Sequence, residues 1–406
     1  MPRDTDIRPA PTPWGLVVML GAMTAFAPMA IDMYLPSLPA IAEGLSATGG
    51  QAQATVAAFF AGMAIGQFLY GPASDRWGRR GPLLVGVVVF TIASVACALA
   101  TSPEMLIGAR FVQALGGCAG GVVARAIIRD QFDHTETARM LSLMMLIMGV
   151  APILAPLLGG LILTLAGWRA NFWVLAGFGV AVGAAVLLRL KETRSEATAA
   201  QARSENPLQA YAALFRQRRL LGYLLAGALN GATLFTYISA SPGLLIGTYG
   251  ISPQNFGWVF GLNAVGIIGS NQVNRFLLRR RTPDEVLAVA SLVCVGLGVL
   301  LAIVAVTGAG GMLGVLVLLF ALLASYGFMQ GNTTAGALSV DPLRAGSVSA
   351  LSGAASFGAG AVAASISAAL HDGSARPMAL IMLVAMAGSA AALHGLALPR
   401  KATATA

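Results

Sequence analysis

The chain has 406 residues, of which 57% are hydrophobic and only 10% are charged. Because soluble domains carry about 25% charged residues, this composition excludes an ordinary soluble protein and indicates a chain that lies mostly in a lipid bilayer. Abundant glycine and few aromatic residues favour an all-α membrane protein over a β-barrel, whose strands alternate polar and apolar residues. The formal net charge of +9 could suit a nucleic-acid partner, but the charges lie at the ends of apolar stretches.

Twelve apolar stretches are long enough for membrane helices, which need about 20 mostly apolar residues. In the first half of the chain they are residues 14–38, 51–71, 82–101, 104–126, 138–164 and 170–190. In the second half they are residues 219–247, 253–275, 285–307, 311–333, 345–370 and 376–398. We interpret residues 1–13 and 399–406 as cytoplasmic tails, because no small-residue cleavage site closes the first apolar run as it would in a signal peptide.

The arginines and lysines predict the topology. With the N-terminus inside, 22 of the 25 basic residues fall on cytoplasmic connections, while Arg169 and Arg376 fall outside and Arg110 lies within a helix. This asymmetry follows the positive-inside rule. The excess of basic residues therefore reflects the orientation of the chain in the membrane, with both termini cytoplasmic, and does not indicate a nucleic-acid partner.

The longest polar connection, residues 191–218, divides the predicted helices six and six. It indicates two six-helix halves, 14–190 and 219–398, joined by a cytoplasmic linker. A weak repeat supports the division, because SNQVNRFLLRR follows the eighth helix as GPASDRWGRR follows the second. Asn274 stands where the first copy has Asp75, so the second copy has lost its acid.

The segment GPASDRWGRR at 71–80 predicts a tight turn between the second and third helices. Gly71 and Pro72 are expected to end one helix, and Gly78 together with Gly81-Pro82 to allow the reversal into the next. Asp75 can bond free backbone N–H groups or pair with arginines at a neighbouring helix end. The alternative is a solvated turn that merely follows the charge rule.

The same segment resembles the loop G-x-x-x-D-R-x-G-R-R/K of the major facilitator superfamily, at the matching place in a twelve-helix chain. In that family the loop locks and releases the two halves as the transporter changes its facing. The resemblance implies gating roles for Asp75 and Arg76 rather than substrate binding. The implied conformational latch consists of Gly71, Asp75, Arg76, Gly78, Arg79 and Arg80.

In the fifth helix, MGVAPILAPLLGG resembles the antiporter motif G-x-x-x-G-P-x-x-G-G, with Ala155 in place of a glycine. The motif implies a bent helix with a bare face against which another helix slides. The alternative for its last two glycines is a loose helix end. Its packing residues are Gly149, Pro152, Pro156, Gly159 and Gly160.

Together with AIDMYLPSLPAI at 30–41 and ISASPGLLIGTYGIS at 238–252, these motifs make the whole chain similar to the Bcr/CflA branch of drug:proton antiporters. That branch includes exporters of bicyclomycin and of chloramphenicol or florfenicol. The resemblance implies a multi-pass protein of the bacterial inner membrane that exports drugs in exchange for protons and works as a monomer.

Two ionisable residues, Asp32 and Arg110, fall at bilayer depth, where a charge costs roughly 2.5–3.5 kcal/mol on insertion scales. We interpret Asp32 as a protonatable carboxyl that faces the central cavity and releases drug when it binds a proton from outside. Arg110 fills the arginine of the family motif R-x-x-Q-G-x-G, which RFVQALGG resembles. It would lower the pKa of Asp32 directly or through Gln113, one turn away on the same helix face. The alternatives are an Asp32 among the outer headgroups and an Arg110 that snorkels to the outer surface.

Neutral amides and aromatic residues in the later helices suit a cavity for largely uncharged, amphiphilic drugs. A buried amide can instead be a tie between helices. The candidate cavity residues are Asn230, Phe235, Tyr237, Asn263 and Asn332.

The favoured function is therefore a proton-coupled exporter of chloramphenicol-like or bicyclomycin-like drugs, and the alternative is an exporter of one endogenous sugar or amino-acid derivative. The sequence shows no nucleophile elbow and no Walker motif, which argues against an enzyme and against ATP-driven transport. The three cysteines and three histidines lack metal-ligand spacing, so no metal or other cofactor is expected.

Overall fold

The computed structural model describes residues 14–132, 134–196 and 207–398. The predicted tails and the middle of the linker lie outside the described residues. In the first half the helices are α1 (Trp14–Asp32), α2 (Leu38–Gly44), α3 (Gly49–Trp77), α4 (Arg80–Ala98), α5 (Pro103–Gln131), α6 (His134–Ala166) and α7 (Trp168–Arg189). In the second half they are α8 (Pro207–Phe215), α9 (Arg218–Pro242), α10 (Pro253–Leu277), α11 (Pro283–Thr307), α12 (Gly311–Val340), α13 (Ala345–Ala369) and α14 (Arg376–Ala392).

Apart from the short α2 and α8, the helices of the described residues are the twelve that the sequence predicts. Eleven are long and apolar enough to cross a membrane. The remaining one, α10, has 25 residues and is about 37 Å long at about 1.5 Å per residue. Its amides Asn263, Asn271 and Gln272 reduce its apolar content.

The predicted end of the first span is wrong. The span 14–38 is interrupted, because α1 ends at Asp32 and is followed by a 3₁₀ turn over Leu35–Ser37 before α2 begins. Pro36 accounts for this break, since a proline has no backbone N–H with which to continue the α-helical hydrogen bonds and its ring clashes with the carbonyl four residues earlier.

The expected helix end at Gly71 and Pro72 is also wrong. Helix α3 continues through both residues to Trp77, because the loss of one hydrogen bond at Pro72 does not end a helix that packs along its length on α5 and α13. The reversal occurs at Gly78, whose φ of +93° favours glycine. Pro82 lies in the first turn of α4, where proline is tolerated.

Each half packs internally, and the halves meet along two helix pairs. Helix α3 packs against α13, and α6 packs against α10. Within the first half the closest partners are α3 with α5 and α4 with α5, and within the second half α9 with α13. Gly62 on α3 permits the contact with α5, because a Cβ there would lie 2.8 Å from the Ala114 Cβ.

The two ends of the bundle differ in charge. The helix ends at Trp77, Gln131, Arg189 and Leu277 lie on the side that carries most of the arginines, and we call this side the basic end. We call the other side, where α4 ends and α5 begins, the opposite end.

Candidate functional site

Asp32 ends α1 and lies at the interface between the two halves. The residue is 4% exposed, and none of the ion pairs between described residues includes it. Its carboxyl group lies within electrostatic range of Tyr237, on α9 of the second half. This burial disfavours the alternative that Asp32 lies among the outer headgroups.

Tyr237 holds a small polar cluster on the second half. Asn263 Nδ2 on α10 donates to the Tyr237 hydroxyl at 2.7 Å, and the Phe260 ring stacks on the Tyr237 ring with 5.5 Å between the centroids. Asn263 donates to the hydroxyl oxygen, so the Tyr237 hydroxyl can donate its own proton to a further group. Ser241 and Asp32 both lie near this hydroxyl. The cluster therefore offers a hydrogen-bond donor to a carboxylate or to a polar group of a bound molecule.

Arg110 lies in a closed chamber inside the first half. Its guanidinium carbon is 4.3 Å from the ring centroids of both Tyr34 and Phe59. Arg110 Nη1 donates to Gln113 Oε1 at 2.5 Å, and Gln113 Nε2 donates to Ser94 Oγ at 2.7 Å. Arg110 Nε and Nη2 have no hydrogen-bond partner among the described residues. Aromatic faces and one amide therefore surround the cation, and no carboxylate pairs with it.

The structure does not bring Asp32 and Arg110 into an ion pair. Tyr34, two residues after Asp32, lies over the guanidinium, and its hydroxyl hydrogen-bonds Thr55 on α3. The predicted contact between Arg110 and Gln113 is present. No ion pair between Arg110 and Asp32 supports the predicted direct effect of one on the other. Snorkelling is wrong as well, because Arg110 is fully buried.

Three phenylalanines form a cluster that joins the halves. The Phe235 ring on α9 lies 4.4 Å from the Phe60 ring on α3 and 4.9 Å from the Phe357 ring on α13, between centroids. The sequence indicated Phe235 but missed its two partners. The aromatic residues of the second and eleventh spans could have been a signal, had it been known that these helices meet.

The amides predicted to line a cavity have different environments. Asn230 is buried beside Gln330 on α12, with 3.5 Å between the amide groups, and its Oδ1 has no partner among the described residues. Asn332 is instead a tie within the second half, because its Nδ2 donates to Asn274 Oδ1 on α10 at 2.9 Å and to Phe328 O at 2.9 Å. Asn332 thus fits the alternative interpretation of a buried amide.

Gln53 on α3 joins the halves near the opposite end. Its Nε2 donates to Ser367 Oγ on α13 at 2.7 Å and to Ser239 Oγ on α9 at 3.3 Å. All three residues are buried. A cavity of about 210 Å³ lies beside them, and His371 also lines it. Gln53, which sequence analysis missed, was visible as an amide inside an apolar helix.

The residues of the antiporter motif lie in one continuous helix, α6, with Pro152 and Pro156 inside it. Gly159 and Gly160 are therefore helical, which contradicts a loose helix end. A Cβ at Gly160 would lie 2.9 Å from Pro253 O, at the start of α10, and a Cβ at Gly149 would lie 3.5 Å from Ile268 Cδ1 farther along α10. A Cβ at Gly159 would collide with the Met33 backbone. The bare face of α6 thus packs on the other half and on the end of α1.

Arg79 is the centre of the predicted latch. It forms an ion pair with Asp75 on α3, and its Nε donates to Asp130 Oδ2 on α5 at 2.7 Å. Burial lowers the pKa of Arg79, but the bonds to Asp130 and Asp75 outweigh burial and hold its pKa above its usual value. The side chain of Arg76, by contrast, is exposed.

The start of the linker covers this latch. Glu192 Oε1 accepts from the Arg79 backbone N–H at 2.8 Å, and Arg194 Nη1 donates to Arg76 O at 2.6 Å. Burial raises the pKa of the Glu192 carboxyl, but the backbone N–H groups that donate to it outweigh burial and hold its pKa below its usual range. These contacts join the end of α3, the start of α4 and the chain after α7 into one unit.

Residues 20–368 match the family model described as Major Facilitator Superfamily. The chain belongs to this superfamily. The superfamily consists of membrane transporters rather than enzymes, so the protein is a multi-pass transporter of small molecules.

Several relatives of the chain have names that refer to drug resistance. It is 29% identical, over 90% of its length and 92% of the relative's, to a bicyclomycin resistance protein homolog of Haemophilus influenzae. It is 36% identical, over 60% of its length and 61% of the relative's, to the multidrug resistance protein MdtL of Escherichia coli. It is also 34% identical, over 94% of its length and 95% of the relative's, to the uncharacterized MFS-type transporter YdgK of Bacillus subtilis. These relatives agree with the resemblance to the Bcr/CflA branch.

Solved structures share the fold. A bacterial homologue of the lysosomal transporter Spinster, inward-facing and occupied, superposes with a TM-score of 0.71 at 17% identity, covering 95% of this chain and 97% of that one. A D-xylose-proton symporter superposes with a TM-score of 0.69 at 14% identity, covering 92% and 96%. At such low identity these structures speak for the fold alone.

Proposed function

We propose that the protein is a proton-coupled antiporter that exports small hydrophobic or amphiphilic drugs by alternating access. The observation that carries the proposal is Asp32, a buried carboxyl that has no ion-pair partner among the described residues and lies within electrostatic range of Tyr237 of the other half. A buried acid that is not neutralised by a fixed cation is suited to gain and lose a proton. The names of the drug-resistance relatives support the substrate class.

The proposed orientation puts the basic end in the cytoplasm, in a bacterial inner membrane, because basic residues are retained on that side. In this orientation the Gln53 contacts lie on the outer side of Asp32. The structure then represents a state whose halves are held together near the outer face, and export requires these contacts to separate. We expect the protein to work as a monomer.

Coupling follows from competition at Asp32. In the inward-facing state the carboxylate loses its proton and attracts the polar groups of a drug, together with the Tyr237 hydroxyl. After the halves rearrange, a proton from outside neutralises the carboxylate, which weakens its hydrogen bonds and favours release of the drug. Asp32 must take opposite protonation states on the two sides, and this requirement makes the exchange obligatory.

The surroundings indicate the class of substrate. Phe60, Phe235 and Phe357 offer aromatic faces, and Asn230 and Asn263 offer uncharged amides. Aromatic and amide groups together bind flat, largely uncharged molecules with a few polar groups. Asn332 is not part of this proposal, because its amide is already hydrogen-bonded to Asn274.

A susceptibility panel in an efflux-deficient bacterial host tests the substrate class. Expression of the wild type is expected to raise the inhibitory concentration of chloramphenicol or bicyclomycin, and Asp32→Asn is expected to remove this protection at equal expression. Loss of protection with Glu43→Gln, an exposed acid at the same end of the bundle, would contradict a specific role for Asp32. No protection against any drug would favour export of an endogenous metabolite.

A further inference from the structure

Four exposed arginines cluster at the basic end of α10. Arg275 lies in the last turn of the helix, and Arg279, Arg280 and Arg281 follow directly after it. All four are exposed, and none forms an ion pair with a described residue. A cluster of this size at the cytoplasmic end of a membrane helix is suited to bind anionic lipid.

The nearby acids are already engaged. Asp284 accepts from Arg219 Nη2 at 2.9 Å and from the Tyr223 hydroxyl at 2.5 Å. Glu285 closes the N-terminus of α11, where its Oε2 accepts from the Thr282 backbone N–H at 3.1 Å. The four arginines therefore find no free carboxylate among these neighbours.

In the corresponding segment of the first half, one arginine is neutralised by acids of the same half. There Arg79 is 1% exposed and bonds to Asp75 and Asp130. In the second half the place of Asp75 is taken by Asn274, whose amide bonds to Asn332 on α12. Because an amide cannot neutralise a guanidinium, the described part of this segment supplies no anion that balances the cluster.

Exposed apolar side chains lie directly beside the cluster. Val273 and Phe276 are 52% and 61% exposed on α10, and the Arg279 guanidinium carbon lies 5.8 Å from the Phe276 ring centroid. Such a surface can contact acyl chains while the adjacent guanidinium groups reach the phosphate level. Arginine forks bind phosphate oxygens bidentately.

We propose that Arg275, Arg279, Arg280 and Arg281 bind the headgroups of anionic phospholipids in the cytoplasmic leaflet. This inference rests on the proposed orientation, and it does not depend on which substrate is exported. The bound headgroups would hold the inner end of α10, the helix on which the antiporter-motif helix α6 packs. Binding is therefore a property of the lipid-exposed surface and needs no drug or proton gradient.

The test measures lipid binding by the purified full chain in detergent, through thermal stabilisation and lipid retention in native mass spectrometry. The probes are dioleoylphosphatidylglycerol, dioleoylphosphatidylcholine and inorganic phosphate. The triple variant Arg279→Gln, Arg280→Gln, Arg281→Gln is compared with Arg139→Gln, Arg216→Gln, Arg218→Gln, which removes the same charge from other exposed positions at the basic end. The single variant Arg280→Gln serves if the triple variant does not fold.

We expect phosphatidylglycerol to bind the wild type and the control variant equally, and each arginine removed from the cluster to weaken binding roughly fivefold. Equal binding of phosphatidylcholine, an equal loss in the control variant, or equal stabilisation by inorganic phosphate would overturn the proposal. Labelling of Arg280→Cys from the outer side of cells would show that the orientation is wrong. None of these results requires transport, so failure here is distinguishable from failure of the proposed function.

Discussion

Asp32 lies within electrostatic range of Tyr237 in the other half and forms no ion pair with Arg110 in its own half. In the proposed mechanism, the charge that changes during coupling thus borders the interface between the halves, while Arg110 lies buried inside one half. Protonation of Asp32 can therefore alter contacts between the halves without changing the packing inside either of them.

Replacement of Tyr237 by Phe is expected to weaken coupling while the fold remains. The change removes the hydroxyl that accepts from Asn263, at a cost of about 1 kcal/mol in stability, and it removes a polar group within electrostatic range of Asp32. Drug binding at neutral pH should weaken several-fold, and its dependence on pH should become shallower. The measurement is a drug-binding titration at several pH values, with Tyr249→Phe as the control. An unchanged pH profile would mean that Tyr237 only packs against Phe260.

Substitutions of Arg110 separate the effect of its charge on stability from the effect of its volume. Arg110→Met retains most of the side-chain volume and removes a cation whose Nε and Nη2 have no partner among the described residues. The free energy of unfolding of this variant should therefore lie within about 1–2 kcal/mol of the wild-type value. Arg110→Ala leaves a cavity between Tyr34 and Phe59 and should cost about 3 kcal/mol or more. Thermal unfolding in detergent measures both variants. Destabilisation by Met equal to that by Ala would show that the charge itself holds the chamber together.

Gln53→Leu should loosen the contact between the halves near the opposite end. The substitution preserves size but removes the bonds to Ser239 and Ser367, which favours separation of α3 from α9 and α13. We expect faster labelling of a cysteine at Ala240, which borders the cavity there, by a membrane-impermeant maleimide. Gln67→Leu, which changes an amide farther along α3, is the control. Equal labelling rates in the two variants would rule out Gln53 as part of this contact.

Gly78→Ala should disrupt the latch. At φ +93° a side chain is strained by roughly 1–3 kcal/mol, and its Cβ would collide with the Glu192 carboxylate. We expect lower thermal stability and increased proteolysis at the start of the linker. Gly81→Ala is the matched control, because a Cβ there meets nothing within 4 Å. Equal behaviour of the two variants would show that the linker does not depend on this turn.

The helices and their membrane crossings could be predicted, because apolar length and basic ends are local properties of the sequence. The end of α3 could not, since the helix passes through Pro72 by packing on helices that are remote in sequence. Likewise, depth along a helix placed Asp32 and Arg110 at similar levels but did not show that they face different neighbours. Asn332 and Gln53 were equally ambiguous, because an amide in an apolar helix is a tie or a lining residue depending on which helix it meets.

The proposed mechanism requires that Asp32 carries the exchanged proton. The most direct measurement is uptake of labelled chloramphenicol by proteoliposomes with an acidic interior, comparing the wild type, Asp32→Asn and Glu43→Gln. We expect gradient-dependent uptake by the wild type and Glu43→Gln and none by Asp32→Asn. Gradient-driven uptake by Asp32→Asn at the rate of the wild type would contradict it.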